Sequence, residues 1–435
     1  MRIALVLERA RIDGTVRVAL RQVRGLRARG HDVRVLCAPG DLLDELAGAA
    51  SSLVVEPVLA HGLEAASDAG LRRRAAAALA DCDAVVAVAG SAFPVALAAP
   101  AGVPLYLQIL SNDLFIGDDP PVVAALHRAL REGRVFGHAL EDVLAHAHRY
   151  SFAPGDVSIS DLPVDAPEVR TPLPRAAFVA DDELLVLTAA RLDDDHVGYL
   201  TPLVRAVGAL RARGYPLRLL VVGDGRYGAR LRAEAPAYTT YAGFRRDLDD
   251  IYPVADVFVG EGSTRLEAAL AGVPVVSSCA QTEPDRSDFA ACIYGLNQGT
   301  LHAYRTTSVV PPSTFEAAIA LLLNDDALRS RVASRGRDRV RTVHDPSRYF
   351  AFLEAYLGGA RPAARVAHAN PTSTERFRGN CLAALRDVAE RARANPALGV
   401  VADPAVTWSA FAMLPEACWD PLADASRLAV LFGAA

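Results

Sequence analysis

Short apolar segments alternate with longer amphipathic segments along two stretches of this chain. In the first stretch, RIALVL (2–7), DVRVLCA, AVVAVAG and LYLQIL have the pattern of buried strands. The second stretch begins at LLVLTAA (184–190) and continues through LRLLVVG, TYAGF, VFVG and VPVVSS. Strands that alternate with helices form parallel sheets with helices on both faces. The sequence therefore predicts an α/β protein with two doubly wound sheets.

Helices are predicted between the strands, where apolar residues recur at helical spacing. They cover about residues 15–29, 41–49, 68–80, 201–213 and 226–234. The segment from Asp118 to about Ala147 is helical and polar in pattern, DLDDIYPVA reads as a helix, and residues 314–357 read as two helical stretches. Further helix is predicted around residues 374–393.

The length of 435 residues exceeds the size at which a single hydrophobic core stops growing, so at least two domains are expected. Residues 153–180 are rich in proline and have little periodicity, which is typical of an interdomain connection. We expect one domain over residues 1–165 and a second over residues 166–345. A closing helix and a helical C-terminal extension would occupy residues 346–435.

Lysine is absent from the chain, so all 46 residues counted as lysine plus arginine are arginines. Pyridoxal chemistry and Walker-type phosphate binding both need a lysine, and these enzyme classes are excluded. Any phosphate group must instead be held by guanidinium groups, hydroxyls or backbone amides.

The net charge of −5 provides no overall field that would attract nucleic acid. No uninterrupted apolar stretch is long enough for a transmembrane helix, and the apolar N-terminus reads as a first strand rather than a signal peptide. The six cysteines lack the CxxC spacing of zinc sites. We expect a cytoplasmic protein without a metal site, and the sequence leaves its oligomeric state open.

The segment VFVGEGSTRLEAALAGVPVVSS, near residue 260, combines a strand, a glycine turn and a helix. Gly260 and Gly262 bracket the turn, and Ser263 and Thr264 place two hydroxyls where the helix begins. The first N–H groups of a helix have no intrahelical partner and lie at the positive end of its dipole, so they bind phosphate well. The segment predicts a diphosphate site, although an ordinary turn between strand and helix would use the same glycines.

Six blocks of this sequence, in the same order, resemble the retaining glycosyltransferases of family 4, which have the GT-B fold. They are similar to the family's N-terminal glycine loop, its donor loop, its second strand and three later conserved blocks. In this chain they read Asp13-Gly14-Thr15 with RVALRQVRGLRARGHDVRVL, LLVLTAARLDDDHVGYLTPLVRAVGALRARG, LRLLVVGDG, YAGFRRDLDDIYPVADVFVG, EGSTRLEAALAGVPVV and SVVPPSTFEAAIALLLNDDALRSRV. The resemblance covers roughly residues 1–358. It implies two Rossmann-like domains that face a central cleft.

The resemblance also implies which residues bind a nucleotide-sugar donor. Arg191 and His196 stand where the family has an arginine and a lysine against the donor diphosphate, and Glu267 stands where a glutamate contacts the ribose. Gly243 and Phe244 match the loop beside the nucleobase. The implied donor-binding residues are Gly14, Thr15, Arg191, His196, Gly243, Phe244, Gly262, Ser263, Thr264 and Glu267.

The match departs from the family pattern at three places. The lysine is replaced by His196, which carries a full charge only when it is protonated, near pH 6.5 and below. The family's upstream glutamate would fall on Val259, whereas Glu261 lies only six residues before Glu267, so either Glu261 or Arg265 takes its place. The segment AVVAVAGSAF lacks the histidine with which the family positions the donor sugar.

The reaction implied by the resemblance is transfer of a sugar from a nucleoside-diphosphate sugar, most simply a UDP- or GDP-sugar, with no other cofactor. Arg191 and Glu261 are the candidate catalytic residues. Arg191 and the helix start would stabilise charge on the leaving diphosphate without a metal ion. Retention in this family is usually attributed to front-face attack, in which the leaving phosphate oxygen helps to deprotonate the acceptor, so no separate base is assigned.

The acceptor is not identified by the sequence, and a sugar, a cyclitol, a thiol or a larger natural product would all fit. Candidate acceptor-side residues are Glu8 and Arg9, at the end of the first strand, and Gln108, Asn112 and Asp113, which we place on the loop after LYLQIL. The alternative function is a catalytically silent GT-B partner subunit that binds a nucleotide sugar.

Overall fold

The computed structural model describes residues 1–111, 114–138, 143, 146–147, 149–152, 156–165, 173–260, 262–277 and 315–360. For residues 194–198, 202, 317, 328 and 335 it describes the backbone alone. The described residues form two compact units. The first contains Met1–Asp165 and residues 344–360, and the second contains the described part of Ala166–Val343.

A parallel sheet of seven strands forms the centre of the first unit, in the order β3-β2-β1-β4-β5-β6-β7. Its strands are β1 (Arg2–Arg9), β2 (Asp32–Ala38), β3 (Ser52–Val55), β4 (Ala84–Val88), β5 (Leu105–Ile109), β6 (Val135–Gly137) and β7 (Ser158–Ile159). The parallel α/β architecture confirms the predicted fold class. The sequence did not predict β3, β6 and β7, because segments of two to four residues are too short to show a periodic pattern.

The α-helices whose bounds the structure describes between the strands of the first unit are α1 (Gly14–Ala28), α2 (Leu43–Ala49), α3 (Ala69–Leu79), α4 (Phe93–Ala96) and α5 (Pro120–Arg131). The side chain of Asp13 caps α1 and accepts a hydrogen bond of 2.7 Å from Val16 N. The prediction of a continuous helical segment to about residue 147 was wrong. Gly133, with φ of +66°, follows the end of α5, and the buried strand β6 comes next.

The second unit has a parallel sheet of five strands in the order β10-β9-β8-β11-β12. These strands, all of which the sequence predicts, are β8 (Leu184–Ala189), β9 (Leu217–Val222), β10 (Thr239–Tyr241), β11 (Val257–Gly260) and β12 (Val275–Ser277). The helices are α6 (Asp194–Ala212), α7 (Gly228–Ala233), α8 (Leu248–Ile251), α9 (Gly262–Leu270), α10 (Phe315–Asn324) and α11 (Asp326–Val343). Helix α6 begins at Asp194, earlier than the predicted start near residue 201.

One further helix, α12 (Pro346–Leu357), belongs to the first unit. Residues 315–357 therefore form three helices rather than the predicted two. Pro346 starts α12, and Asp345 caps it by accepting a hydrogen bond of 2.9 Å from Ser347 N. The predicted helical extension over residues 361–435 lies outside the described residues. Among the helices that the structure describes, each is too short or too polar to cross a bilayer.

Helix α12 packs directly on α1 at a glycine. A Cβ atom added to Gly25 would overlap the ring of Phe350, which is buried, and the guanidinium of Arg29 lies 4.5 Å from the centre of that ring. Gly25 is therefore the residue of α1 that lets the aromatic side chain approach the helix backbone.

We expect Gly25→Ala to reduce the free energy of unfolding by about 1–3 kcal/mol, because the added methyl group overpacks the contact with Phe350. The matched control is Gly48→Ala in α2, where an added Cβ has no neighbour within 4 Å. There the loss of glycine flexibility should stabilise the protein by about 0.5–1 kcal/mol. Urea denaturation of both variants measures the difference, and equal effects of the two substitutions would contradict the packing role.

Candidate functional site

The carboxyl edge of the second sheet has a topological switch point between β8 and β11. These two strands pair directly, but the chain leaves β8 toward β9 and leaves β11 toward β12. In open parallel sheets, ligands bind in the crevice outside the strand ends at such a point. Arg191 follows β8 and Gly262 follows β11. The predicted diphosphate-binding residues therefore lie at the edge where the fold favours a ligand.

Helix α9 begins at this edge with Gly262, one residue before the predicted start. Gly262 has a φ of +61°, which favours glycine, and an added Cβ would have no neighbour within 4 Å. Thr264 Oγ1 donates a hydrogen bond of 3.3 Å to the carbonyl oxygen of Ala189, the last residue of β8. This bond fixes the start of α9 beside the end of β8. Ser263 lies between Gly262 and Thr264 at this helix start.

Arg191 is held close to the same edge by an ion pair. Its Nε atom lies 3.4 Å from Oδ2 of Asp193, and a quarter of its side chain is exposed. Asp193 directly precedes α6. This aspartate was not predicted as a site residue, although an acidic residue immediately before a helix is a common capping signal. The side chain of Arg191 is thus anchored by Asp193 and partly exposed.

Glu267 lies on the buried face of α9 and not on an exposed helix surface. It is 8% exposed, and one of its oxygens, Oε2, accepts a hydrogen bond of 3.0 Å from the hydroxyl of Tyr252. Arg265, which is also 8% exposed, is on the same helix. A buried carboxylate with a fixed hydrogen-bond donor has a defined orientation, as a ligand contact requires.

The loop after β10 reaches the same edge. Gly243 has a φ of +68°, and its carbonyl oxygen accepts a hydrogen bond of 2.8 Å from Gly223 N, just after β9. Phe244, the next residue, is half-buried.

His196 lies in the first turn of α6, where the structure describes its backbone but not its side chain. Glu261 also lies outside the described residues.

A pocket in the first unit lies at the switch point of its own sheet, between β1 and β4. It is lined by Leu7, Glu8, Arg9, Arg11, Asp13, Thr15, Val16, Val88, Ala89, Ser91 and Leu114. The pocket brings together Glu8 and Arg9, predicted for the acceptor, with Thr15, predicted for the donor. Gly14 is exposed at the start of α1, with open space around an added Cβ. Ala89 has a φ of +73°, a strained conformation of the kind that clusters at functional sites.

Gln108 is not on the loop after LYLQIL, as the sequence predicted, but inside β5, where it is fully buried. Its side-chain oxygen, Oε1, accepts a hydrogen bond of 3.0 Å from Gln22 Nε2, and its side-chain nitrogen, Nε2, lies 2.5 Å from His138 Nε2. The amide of Gln22 also donates to the hydroxyl of Tyr349 on α12 at 2.6 Å. These bonds make Gln108 part of the core. Asn112 and Asp113 lie outside the described residues.

Within the part of the chain that the structure describes, no three histidine, cysteine, aspartate or glutamate side chains are grouped so that they could hold a metal ion. Arg191 and the first N–H groups of α9 lie at the carboxyl edge of the second sheet. Their chemistry is suited to an anion that approaches the strand ends.

Sequence comparison identifies a known domain in the second unit. Residues 183–325 match the family described as "Glycosyl transferases group 1". This segment contains Arg191, the glycine turn and Glu267. The fold and the domain together support a GT-B glycosyltransferase. No curated protein sequence matches the chain.

Solved structures of glycosyltransferases share the fold over most of the chain. Anabaena HepE in complex with UDP and glucose has a TM-score of 0.60 and 14% sequence identity, over 83% of this chain and 100% of that chain. Sucrose-phosphate synthase from Thermosynechococcus elongatus has a TM-score of 0.58 and 17% identity, over 83% and 100%. WaaG, a glycosyltransferase involved in lipopolysaccharide biosynthesis, has a TM-score of 0.53 and 18% identity, over 81% and 99%. At these identities the likeness shows the fold alone, which is the GT-B fold.

Proposed function

We propose that the protein transfers a glycosyl group from a nucleoside-diphosphate sugar to a small-molecule acceptor, with retention of configuration at the sugar. The observation that carries this proposal is the convergence of Arg191 and the start of α9 at the switch point of the second sheet. Both groups attract anions, and both are fixed before any ligand binds. Retention rests on the sequence resemblance to glycosyltransferase family 4.

In this proposal the leaving diphosphate lies against the N-terminus of α9. Ser263 supplies a hydroxyl, Ser263 and Thr264 supply backbone N–H groups, and Arg191 supplies positive charge as the bond to the sugar breaks. Since these groups are preorganised, they stabilise the developing negative charge without reorganising during the reaction. His196 and Glu261 remain predicted contributors. No metal ion is needed in this scheme.

Glu267 and the loop at Gly243 and Phe244 are proposed to bind the nucleoside. A carboxylate accepts hydrogen bonds from two ribose hydroxyls, and Tyr252 would hold it in place for them. A UDP-sugar is the first donor to test, since HepE, which has the same fold, has been solved in complex with UDP and glucose. A GDP-sugar is the second. The pocket beside Glu8 and Arg9 is proposed to contribute to acceptor binding.

The activity is tested by measuring the release of nucleoside diphosphate from UDP-, GDP-, ADP- and dTDP-sugars, with and without a panel of sugars, cyclitols and thiols. We expect release from one donor class that increases when an acceptor is present. The second candidate function is a silent subunit that binds a nucleotide sugar, which the histidine at the family's lysine position favours. Binding of a nucleotide sugar without release under every condition would support this second function and overturn the first.

Glu267→Gln should raise the apparent KM for the donor about tenfold, with a smaller change in kcat, because the ribose contact is present before and during the chemical step. The control is Glu234→Gln, which removes an exposed carboxylate of the same unit that pairs only with Arg230 among its described neighbours. Steady-state kinetics with varied donor concentration measure both constants. Identical donor KM values in Glu267→Gln and the wild type would rule out the ribose role.

A further inference from the structure

Two loops at the carboxyl edge of the second sheet are bound tightly to each other. The first follows β8 and contains Arg191 and Asp193, and the second, residues 223–227, follows β9. Three backbone hydrogen bonds of 3.0 Å connect the two strand ends and loops: Ala190 N to Val222 O, Leu192 N to Asp224 O, and Tyr227 N to Leu192 O. The loop that carries Arg191 is therefore fixed along its length by its neighbour.

Two glycines make this close approach possible. A Cβ atom at Gly223, where φ is +137°, would overlap the carbonyl oxygen of Ala190. A Cβ atom at Gly225 would lie 2.6 Å from the carbonyl carbon of Leu192 and 2.7 Å from Oδ1 of Asp193. Any side chain at either position would push the two loops apart.

The carboxylate of Asp193 adds a connection from the second loop to the guanidinium group. Its Oδ1 atom accepts a hydrogen bond of 2.8 Å from Arg226 N, and its Oδ2 atom lies 3.4 Å from Nε of Arg191. One oxygen is thus anchored to the backbone of the second loop, and the other faces the arginine. Since a long arginine side chain has many rotamers, a fixed carboxylate at its Nε edge selects among them.

We propose that Asp193 is a positioning residue for the transfer reaction. It ties the guanidinium of Arg191 to the loop after β9, so that the guanidinium is held at the switch point where the leaving diphosphate develops charge. The inference rests on the proposed function and adds a residue to it. The position of a charge-stabilising group matters, because a displacement of about 1 Å can reduce a rate by about 100-fold.

The two contacts of Asp193 can be separated by two substitutions. In Asp193→Asn the side-chain oxygen can still accept from Arg226 N, but the other atom becomes an uncharged amide nitrogen that cannot form an ion pair with Arg191. Asp193→Ala removes both contacts. We expect Asp193→Asn to lower kcat/KM for the donor about tenfold, and Asp193→Ala to lower it at least as much. The control Asp182→Asn changes an exposed aspartate that precedes β8, at the opposite end of that strand.

A double-mutant cycle with Arg191→Ala distinguishes positioning from a general structural effect. If Asp193 acts through Arg191, Asp193→Asn should change kcat/KM less than twofold once Arg191 is alanine. A structural role would lower activity by the same factor in both backgrounds, and that result would overturn the inference. Wild-type activity in the Asp193→Asn variant would overturn it as well.

Calorimetric titration of the same four proteins with UDP and GDP separates failure of this inference from failure of the proposed function. Loss of affinity in Arg191→Ala, together with unchanged affinity and activity in Asp193→Asn, would contradict the positioning role alone. Equal affinity in the wild type and Arg191→Ala, or no binding of either nucleotide, would contradict both proposals.

Discussion

Replacing Arg191 with alanine is expected to lower turnover by about 100-fold or more. The guanidinium is proposed to stabilise negative charge that appears on the diphosphate as the bond to the sugar breaks, and loss of one such preorganised group typically has an effect of this size. Rates of nucleoside diphosphate release at saturating donor and acceptor measure it. No lysine is present to take over the charge, since the chain contains none.

The matched control for this prediction is Arg230→Ala. Arg230 is an exposed arginine of the same unit, and it pairs with Glu234, the residue that follows α7. Its removal should leave turnover within about twofold of the wild type, since exposed ion pairs of this kind contribute little. A rate for Arg191→Ala that equals the rate of the control would remove Arg191 from the site.

The second large effect is a loss of stability in acid that depends on His138. This histidine is fully buried in the first unit, and burial lowers its pKa from 6.5 to about 4. A hydrogen bond of 2.8 Å to the carbonyl oxygen of Ser160 opposes the change in pKa, and the nearby His344 adds to it. Nδ1 must donate to this carbonyl, so Nε2 is left to accept from the amide of Gln108. Protonation of His138 would place a second proton on Nε2, where it would face the N–H group of that amide instead of accepting from it.

The sign of the pH effect follows from the lowered pKa. Between pH 6.5 and pH 4 the unfolded chain binds a proton at His138 and the folded chain does not, so acid favours unfolding. The difference between the two pKa values corresponds to about 3 kcal/mol, at about 1.4 kcal/mol for each pKa unit. This loss is absent above about pH 6.5 and complete below about pH 4.

Urea denaturation at several pH values from 7 to 4 measures this effect, with His138→Asn as the test variant. The variant should be less stable at pH 7, because the network with Gln108 is disturbed, but its stability should fall less steeply toward pH 4. His61→Asn, which changes an exposed histidine, should retain the slope of the wild type. A wild-type slope in His138→Asn would show that His138 does not carry the pH dependence.

The sequence predicted those parts of the fold whose signal is local. Strands such as β2 and β8 are mainly apolar segments, and their bounds were close to the predictions. Strands of two or three residues, such as β6 and β7, join the sheet through pairing with distant residues and have no signal of their own. Helix α6 starts early because Asp193 precedes a polar first turn, which hides the apolar periodicity.

The candidate site was likewise predictable from the sequence only where its signal is local. The glycine turn before α9 is a local feature, and the structure places it at the switch point. The link from Asp193 to Arg226 joins loops that are 33 residues apart in sequence, so only the folded chain reveals it. Gln108 was predicted to lie on the loop after LYLQIL, but it lies inside β5. In the structure, buried partners on α1 and β6–β7 satisfy its amide.

The central claim is that the carboxyl edge of the second sheet binds a nucleoside diphosphate through Arg191. A thermal-shift measurement with UDP, GDP, ADP and dTDP tests this claim most directly. A ligand at 100 times its Kd adds about 2.7 kcal/mol to the stability of the native protein. We predict that at least one nucleotide raises the Tm of the wild type, and that Arg191→Ala greatly reduces this rise. An equal rise in both proteins, or no rise with any of the four nucleotides, would contradict the claim.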